Sequence, residues 1–194
     1  MSKIKTGIYG GSFNPIHNGH IAIARAMTAL AGLDEVWLVV SPQNPLKPVG
    51  SLLADDKRLL MAQTAVADIP GVVASDYEFR LPRPSYMWNT LQSLSRDYPE
   101  RDFTLLIGAD NWAVFPRWHR ADDIIAHYPI CIYPRTGYPV DTASLPSTVR
   151  LVDTGLYDVS STQVREWVAQ QRDITALVPA NIVPMVKEYY RAQP

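Results

Sequence analysis

The sequence predicts an α/β fold with a doubly wound parallel sheet and helices on both faces. Short apolar runs alternate along the chain with amphipathic segments, as in successive strand and helix units. Two runs, at positions 35–40 (EVWLVV) and 103–107 (FTLLI), are nearly continuous in apolar residues, which is typical of strands buried on both faces. The 194 residues are 47% hydrophobic and show no internal repeat, so we predict a single domain over residues 1–194.

The first three predicted elements are a strand, a helix and a second strand. Residues 4–9 form a strand, and the turn formers at positions 10–15 (GGSFNP) require a tight loop after it. A helix is expected over 17–30, where apolar residues recur at i, i+3, i+4 and i+7, namely Ile23, Ala26, Met27 and Leu30. The strand at 35–40 completes a βαβ unit, for which a right-handed crossover is expected.

The remaining chain continues the alternation. We expect helices at 55–67, 85–98, 109–115 and 121–127, and strands at 72–74, 103–107, 130–133 and 149–152. The segment 158–194 carries the sequence SSTQVR and two terminal helices, whose inward residues are Val164, Trp167, Val168, Ile182, Met185, Val186 and Tyr189. We interpret the stretch 136–147 as a surface loop, because too few residues follow it for an independent core.

Composition excludes several classes of function. Lys and Arg total 18 against 19 for Asp and Glu, so no global positive field favours nucleic acid as a partner. The single cysteine, Cys131, lies in an apolar run and is expected to be buried rather than reactive. The sequence shows neither a signal peptide nor a membrane span, so we expect a cytoplasmic protein with no membrane partner. The sequence is compatible with a homo-oligomer, but it does not predict the number of subunits.

The first turn predicts a phosphate site. In an open α/β sheet the ligand lies beyond the carboxyl ends of the strands, commonly at this turn. Gly10 and Gly11 allow close approach of the backbone, and the amides at the following helix start attract an anion. The turn has neither the Gly-Lys-Ser/Thr of a P-loop nor the Gly-x-Gly-x-x-Gly of dinucleotide-binding folds, so both classes are disfavoured.

Two histidines distinguish this turn. His17 and His20 are three residues apart where the helix begins, so both can project to one side, and Gly19 leaves room for a phosphate between them. A histidine pair of this kind often only caps or packs, but the glycine-rich strand end favours a functional role. Zinc is disfavoured, because His119 and His127 fall in unrelated segments, and we assign no metal site to the protein.

A second anion site is predicted near the C-terminus. Ser160 and Gln163 have the spacing of a capping box, which opens a helix. Arg165 falls in the first turns of that helix, where its guanidinium can bind phosphate oxygens. With Asp110 after the strand at 103–107, placed to meet a ribose hydroxyl, these segments predict a cradle for a triphosphate.

These residues resemble the nucleotidyltransferase superfamily that carries HxGH and SSTxxR motifs, here at positions 17–20 and 160–165. Within it, the chain is similar to the bacterial nicotinate mononucleotide adenylyltransferases. The resemblance covers nearly the whole chain, through NPLK at 44–47, PSY at 84–86, GAD at 108–110, FPRW at 115–118 and VP at 178–179. It implies a Rossmann-like fold of the HxGH nucleotidyltransferase type.

The resemblance implies a reaction in NAD biosynthesis. The phosphate of nicotinate mononucleotide attacks the α-phosphorus of ATP, giving nicotinate adenine dinucleotide and pyrophosphate, with Mg²⁺ accompanying ATP. His17, His20 and Arg165 are the implied catalytic residues, which stabilise negative charge without a covalent intermediate. This agrees with the chemistry, because a phosphate monoester is already a nucleophile and mainly needs alignment and charge neutralisation.

The resemblance also implies the binding residues. Those for ATP are Gly10, Gly11, Ser12, Phe13, Gly19, Gly108, Asp110, Ser161 and Thr162, with Asp110 on the ribose. Those for the pyridine mononucleotide are Asn44, Lys47, Ser85, Tyr86, Met87, Trp118 and Arg135, with the Trp118 ring stacked on the pyridine. The chain departs from the family pattern at Asn14, where aspartate is common, and at Met87-Trp88-Asn89, which replaces Thr-x-Asp. The second departure leaves open the choice between nicotinate and nicotinamide.

Two other functions compete with this one. A phosphopantetheine adenylyltransferase would share the fold, the first loop and the SSTxxR-like motif, but that family tends to carry threonine where His17 stands. A non-catalytic nucleotide sensor would keep the fold and lose turnover, since fold alone does not establish function. The presence of His17, His20, Ser161 and Arg165 disfavours the sensor.

Overall fold

A computed structural model describes residues 2–43 and 52–191. Its strands are β1 (Ile4–Gly11), β2 (Glu35–Val40), β3 (Val72–Ser75), β4 (Arg101–Gly108), β5 (Ile130–Tyr133) and β6 (Val149–Leu151). Its α-helices are α1 (Asn18–Leu30), α2 (Asp55–Val66), α3 (Met87–Asp97), α4 (Ala109–Ala113), α5 (Ala121–His127), α6 (Ser161–Ala169) and α7 (Val183–Tyr190). Single 3-10 turns lie at Tyr77–Arg80, Phe115–Arg117, Thr142–Ser144 and Ala180–Ile182.

The six strands form one parallel sheet in the order β3-β2-β1-β4-β5-β6. The chain winds outward from β1 to β3, then returns to the other side of β1 and continues through β4 to β6. The strand order therefore reverses between β1 and β4. In doubly wound sheets the crevice at the carboxyl ends of these two strands is where ligands bind.

Two apolar cores cover the two faces of the sheet. Alternate strand residues point to opposite sides, so Leu38 and Leu106 enter one core while Val39 and Leu105 enter the other. Helices α1, α2, α6 and α7 pack on the first face, and α3, α4 and α5 pack on the second. Cys131 is buried in the first core, as its apolar surroundings predicted. The predicted fold class is confirmed.

The structure corrects several predicted boundaries. The helix predicted over 85–98 begins at Met87, so Ser85 and Tyr86 lie in the loop before it. The helix predicted over 109–115 ends at Ala113, and a 3-10 turn follows at Phe115–Arg117. In α7 the fully buried tyrosine is Tyr190, whereas the neighbouring Tyr189, which was predicted to face inward, is only partly buried. No helix within the described residues is long and apolar enough to cross a membrane.

Candidate active site

The loop between β1 and α1 lies at the predicted crevice and is closely packed. A Cβ on Gly10 would lie 2.7 Å from Met87 Cε, and one on Gly11 would lie 2.9 Å from the Phe13 ring. Phe13 itself has a left-handed backbone conformation (φ 44°), which is rare for a bulky side chain and stores strain. We call residues 10–16 the phosphate loop. The Phe13 ring therefore favours glycine at position 11, whereas the Met87 methyl group beside Gly10 is the flexible end of its side chain.

The two histidines of the phosphate loop and helix start lie against each other. His17 is the residue before α1 and is 3% exposed, and His20 is half-buried on the first turn. Their rings stack with centroids 3.6 Å apart and planes at 22°. The prediction that both project to one side is therefore confirmed. The predicted gap for a phosphate between them is wrong, because the stacked rings leave none, and Gly19 instead accommodates the edge of the His17 ring.

The position of His20 fixes which nitrogen can donate a hydrogen bond. The backbone N–H of His17 donates to His20 Nδ1 at 3.2 Å. Because a main-chain N–H is always a donor, Nδ1 must be the acceptor, and the proton of the neutral ring lies on Nε2. His20 also lines a cavity at the carboxyl ends of β1 and β4, which we call the site cavity. Its imidazole is thus held as a hydrogen-bond donor at the edge of that cavity.

His17 is electrostatically different from an exposed histidine. Burial, together with the nearby positive charge of the Arg135 guanidinium, lowers the pKa of His17 from its ordinary 6.5 to about 3. Its Nδ1 is buried without a hydrogen-bond partner among the described residues. At neutral pH this imidazole is therefore uncharged.

The start of α6 lies beside the phosphate loop, as the second motif predicted. The Ser160 hydroxyl accepts a hydrogen bond from Gln163 N–H at 3.1 Å and so caps the helix. Ser161 Oγ donates to the Pro15 carbonyl at 2.8 Å, and Arg165 Nη1 donates to the Asn14 carbonyl at 2.7 Å. The second nitrogen, Nη2, donates to Thr162 Oγ1 at 3.2 Å. The two predicted phosphate-binding segments are thus joined into one structure.

The site cavity has a volume of about 350 Å³. It brings together predicted residues of both substrates, which are Gly10, Gly11, Phe13, His20, Ser85, Tyr86, Met87, Asp110, Trp118 and Arg135. The remaining predicted residues within the described chain are not among those that line it. Ser12 is in the phosphate loop, His17 and Gly19 are at the start of α1, Gly108 ends β4, and Ser161, Thr162 and Arg165 are on α6. Asn44 and Lys47 lie outside the described residues.

One end of the cavity is aromatic. Trp118 is half-buried against Phe115, with ring centroids 5.1 Å apart, and its indole Nε1 has no partner within the described chain. The ring of Tyr86 lies 4.7 Å from that of His119, which sequence reasoning did not assign to this site. A flat heteroaromatic ring would find apolar faces here.

A charged pair lies across the cavity from the loop. Arg135 Nε is 3.7 Å from Asp110 Oδ1, too long for a hydrogen bond, and both atoms are buried without partners among the described residues. The guanidinium lies over the Tyr133 ring at 5.3 Å. A Cβ on Gly108 would lie 3.0 Å from that ring and still closer to Asp110 Oδ1, so only glycine fits there. Both charged side chains keep hydrogen-bonding capacity for a polar ligand.

Comparison with known proteins identifies the family. The cytidylyltransferase-like family matches residues 8–167. A relative from Bacteroides thetaiotaomicron, named "Probable nicotinate-nucleotide adenylyltransferase", is 47% identical over 190 residues, which are 98% of this chain and 94% of the relative. A relative of the same name from Bacteroides fragilis is 48% identical over 174 residues, covering 90% and 87%. The chain belongs to the nicotinate-nucleotide adenylyltransferase family.

Solved structures of that family share the fold. Plasmodium falciparum nicotinic acid mononucleotide adenylyltransferase complexed with NaAD superposes with a TM-score of 0.80 at 18% identity, covering 96% of each chain. The same enzyme complexed with APC gives a TM-score of 0.79, again over 96% of each chain. The whole described sheet and its helices are thus the architecture of this adenylyltransferase family.

Sequence reasoning missed two buried polar residues beside the family's motifs. Arg58 of α2 is completely buried, and its guanidinium donates to the carbonyls of Ser12, Ser41 and Leu53 and to the Asp55 carboxylate. It therefore ties the phosphate loop to the end of β2 and the start of α2. The sequence pattern could have indicated that Arg58 is buried, because it shares the buried face of α2 with Met61, Ala62 and Ala65 at helical spacing.

Glu78 is the second missed residue, and it lines the site cavity at 2% exposure. Thr90 Oγ1 donates to its Oε1 at 2.8 Å, whereas Oε2 has no hydrogen-bond partner in the described structure. Burial raises the pKa of the Glu78 carboxyl, and the hydrogen bond from Thr90 opposes the rise. No local pattern distinguishes this glutamate from a surface one, because its burial depends on the packing of α3.

The described residues contain no group of three or more His, Cys, Asp or Glu side chains that could hold a metal ion. The imidazoles of His17 and His20 are also not the oxygen ligands that Mg²⁺ prefers.

Proposed function

We propose that the protein transfers the adenylyl group of ATP to nicotinate mononucleotide and releases pyrophosphate. An oxygen of the mononucleotide phosphate forms a bond to the α-phosphorus, and the bond from that phosphorus to the bridging oxygen of the β-phosphate breaks. The observation that carries the proposal is that His20 and the aromatic end around Trp118 line a single cavity at the reversal point of the sheet. Residues assigned to ATP and residues assigned to the mononucleotide therefore meet in one cavity.

The phosphates of ATP are assigned to the phosphate loop and the start of α6. The His20 Nε2–H, the N-terminal amides of α1 and α6, and the guanidinium of Arg165 supply hydrogen-bond donors to negative oxygens. His17 is neutral when buried, so it acts as a hydrogen-bonding group rather than as a fixed positive charge. Such donors, already in place, stabilise charge that develops on the α-phosphate and the leaving group.

The two nucleosides are assigned to the rest of the cavity. The nicotinate ring stacks on Trp118 beside Tyr86 and Met87, and the adenosine ribose meets Asp110. Arg135, next to Asp110, is placed to neutralise the phosphate of the mononucleotide. Asn44 and Lys47 keep their predicted roles at the incoming nucleotide.

Mg²⁺ completes the proposal as the partner of ATP. When bound, it neutralises phosphate charge and polarises the phosphorus–oxygen bonds of the substrate. The protein's own residues align the nucleophile with the α-phosphorus and donate hydrogen bonds around it. No side chain has to become covalently attached to the nucleotide.

Product analysis tests this function. The protein is incubated with ATP, Mg²⁺ and nicotinate mononucleotide, and the products are separated and weighed by mass spectrometry. We expect a dinucleotide of the mass of nicotinate adenine dinucleotide and pyrophosphate in equal amounts. Binding of ATP without either product would identify a nucleotide sensor and overturn the proposal.

A further inference from the structure

A buried hydrogen bond connects the last helix to the phosphate loop. Tyr190, the final residue of α7, is 2% exposed, and Asn14 of the loop is 4% exposed. The Tyr190 hydroxyl donates to Asn14 Oδ1 at 2.6 Å across 176 positions of sequence. Burying the polar atoms of a tyrosine and an asparagine without hydrogen-bond partners would lower the stability of the fold. The pairing satisfies both groups.

Asn14 is a junction between three elements. Its Oδ1 also accepts the Leu53 N–H at 3.2 Å, immediately before α2, and its own carbonyl accepts Arg165 Nη1 from α6. The side chain of Asn14 thus receives donors from α7 and the entry of α2, while its main chain receives the arginine of the second motif. A shift of this one residue would displace all three contacts.

The loop around Asn14 needs such support. Phe13, directly before it, holds the left-handed conformation, which persists only when the surroundings enforce it. The flanking carbonyls of Ser12 and Pro15 accept from Arg58 and Ser161. His17 follows Asn14 by three residues, so the position of the loop main chain determines where the stacked histidines lie.

The Tyr190 hydroxyl is held as a permanent donor. Burial raises its pKa well above the usual value for tyrosine, although the positive charges of Arg165 and Arg58 oppose the rise. The phenol therefore remains protonated throughout the pH range of an enzyme assay. Its hydrogen bond to an amide oxygen, inside a buried site, is not exposed to competition from bulk water.

We propose that Tyr190 is a positioning residue of the active site, whose hydroxyl, acting through Asn14, holds the phosphate loop where the histidines and Arg165 meet the ATP phosphates. This inference rests on the proposed adenylyl transfer. It assigns the C-terminal helix a part in catalysis, at a residue that touches no substrate.

Removal of the hydroxyl tests the proposal. We expect Tyr190→Phe to lower kcat about tenfold while KM for both nucleotides stays within about twofold, because a misplaced phosphate loop weakens transition-state contacts. Tyr189→Phe is the matched control, since Tyr189 is the partly buried neighbour and its ring faces Lys57 at 4.8 Å. Val186→Ala, on the same helix, removes buried packing and leaves the hydrogen bond intact. Both controls should keep kcat within about twofold, measured well below their melting temperatures.

A double-mutant cycle identifies the route of the effect. If the hydroxyl acts through Asn14, adding Tyr190→Phe to Asn14→Ala should lower kcat by less than about twofold further. The proposal would be overturned if the reductions in kcat of the two single mutants multiplied in the double mutant. It would also be overturned if Tyr190→Phe left kcat unchanged or changed KM alone, or if Val186→Ala lowered kcat equally. A wild-type protein without dinucleotide synthesis would instead overturn the proposed function, so the two failures are distinguishable.

Discussion

The His20 ring illustrates how a main-chain contact prepares a side chain for chemistry. Its Nδ1 accepts the His17 N–H, so the Nε2 proton points away from that contact, and the ring lines the cavity. The contact breaks no helical hydrogen bond, because the first N–H groups of a helix have no partners within the helix. The spacing of the two histidines predicted that they project to one side, whereas the contact itself is known only from the structure.

We predict that His20→Ala lowers kcat by about 100-fold or more, which is roughly 3 kcal/mol of transition-state stabilisation. His127→Ala is the control, because His127 is an exposed histidine at the end of α5. Steady-state rates of pyrophosphate release measure both variants, with circular dichroism to verify folding. Turnover of His20→Ala close to the wild-type rate would remove this residue from the mechanism.

We predict that His17 makes the protein less stable at acidic pH. The unfolded chain protonates this side chain below about pH 6.5, whereas in the folded protein burial holds its pKa at about 3. Its contribution to stability is therefore complete above pH 6.5 and is lost as the pH falls from 6.5 toward 3. From pH 8 to pH 5 the loss amounts to about 2 kcal/mol.

Urea unfolding at pH 8 and pH 5 checks this prediction, by comparison of the wild type with His17→Gln. The difference in stability between the two pH values should be smaller in the variant by about the same amount. His127→Gln leaves His17 in place and should behave as the wild type. Equal pH dependence in His17→Gln and the wild type would contradict the burial of a neutral His17.

Among the secondary-structure elements, α2 and α6 hold the phosphate loop in place through hydrogen bonds. Arg58 from α2 and Arg165 from α6 donate to carbonyls of the loop, and Ser161 adds a third contact. A loop whose carbonyls are occupied in this way presents its amides and the start of α1 toward the cavity. The loop follows a strand of the parallel sheet, and hydrogen bonds from side chains of α2 and α6 fix its position.

We predict that Arg58→Met lowers the free energy of unfolding by about 3 kcal/mol, because it leaves the buried carbonyls of Ser12, Ser41 and Leu53 without this donor. It also removes one of the two arginines that bind the Asp55 carboxylate, the other being Arg83. Lys57→Met changes the exposed neighbour in the same helix and should alter stability by less than about 0.5 kcal/mol. Urea denaturation of the two variants provides the comparison. A loss below about 1 kcal/mol for Arg58→Met would show that the three carbonyls find other donors.

The sequence predicted these elements well where the signal was local. The apolar runs at β2 and β4 predicted a parallel sheet, and the capping spacing of Ser160 and Gln163 predicted the start of α6. Arg58, Glu78 and Tyr190 were missed as parts of the site, because their roles arise from contacts between residues distant in sequence. The stacking of His17 on His20 was missed for a different reason, because a spacing of three residues fits stacked rings and two rings around a phosphate equally well.

At the scale of the molecule, one sheet with two cores places both substrate regions at the reversal between β1 and β4. The prediction of a single domain over residues 1–194 follows from the same alternation of strands and helices. If it holds, urea unfolding followed by tryptophan fluorescence and by circular dichroism should give coincident transitions. Two separate transitions would indicate that the segment carrying α6 and α7 unfolds independently.

The central claim, adenylyl transfer to nicotinate mononucleotide, is tested most directly by measuring which acceptor the protein uses. Pyrophosphate release from ATP and Mg²⁺ is followed with nicotinate mononucleotide, nicotinamide mononucleotide or phosphopantetheine, and kcat/KM is compared. We predict the highest value for nicotinate mononucleotide, by about tenfold or more over the other two. A higher value for either of the other acceptors, or no pyrophosphate with any of them, would contradict the account.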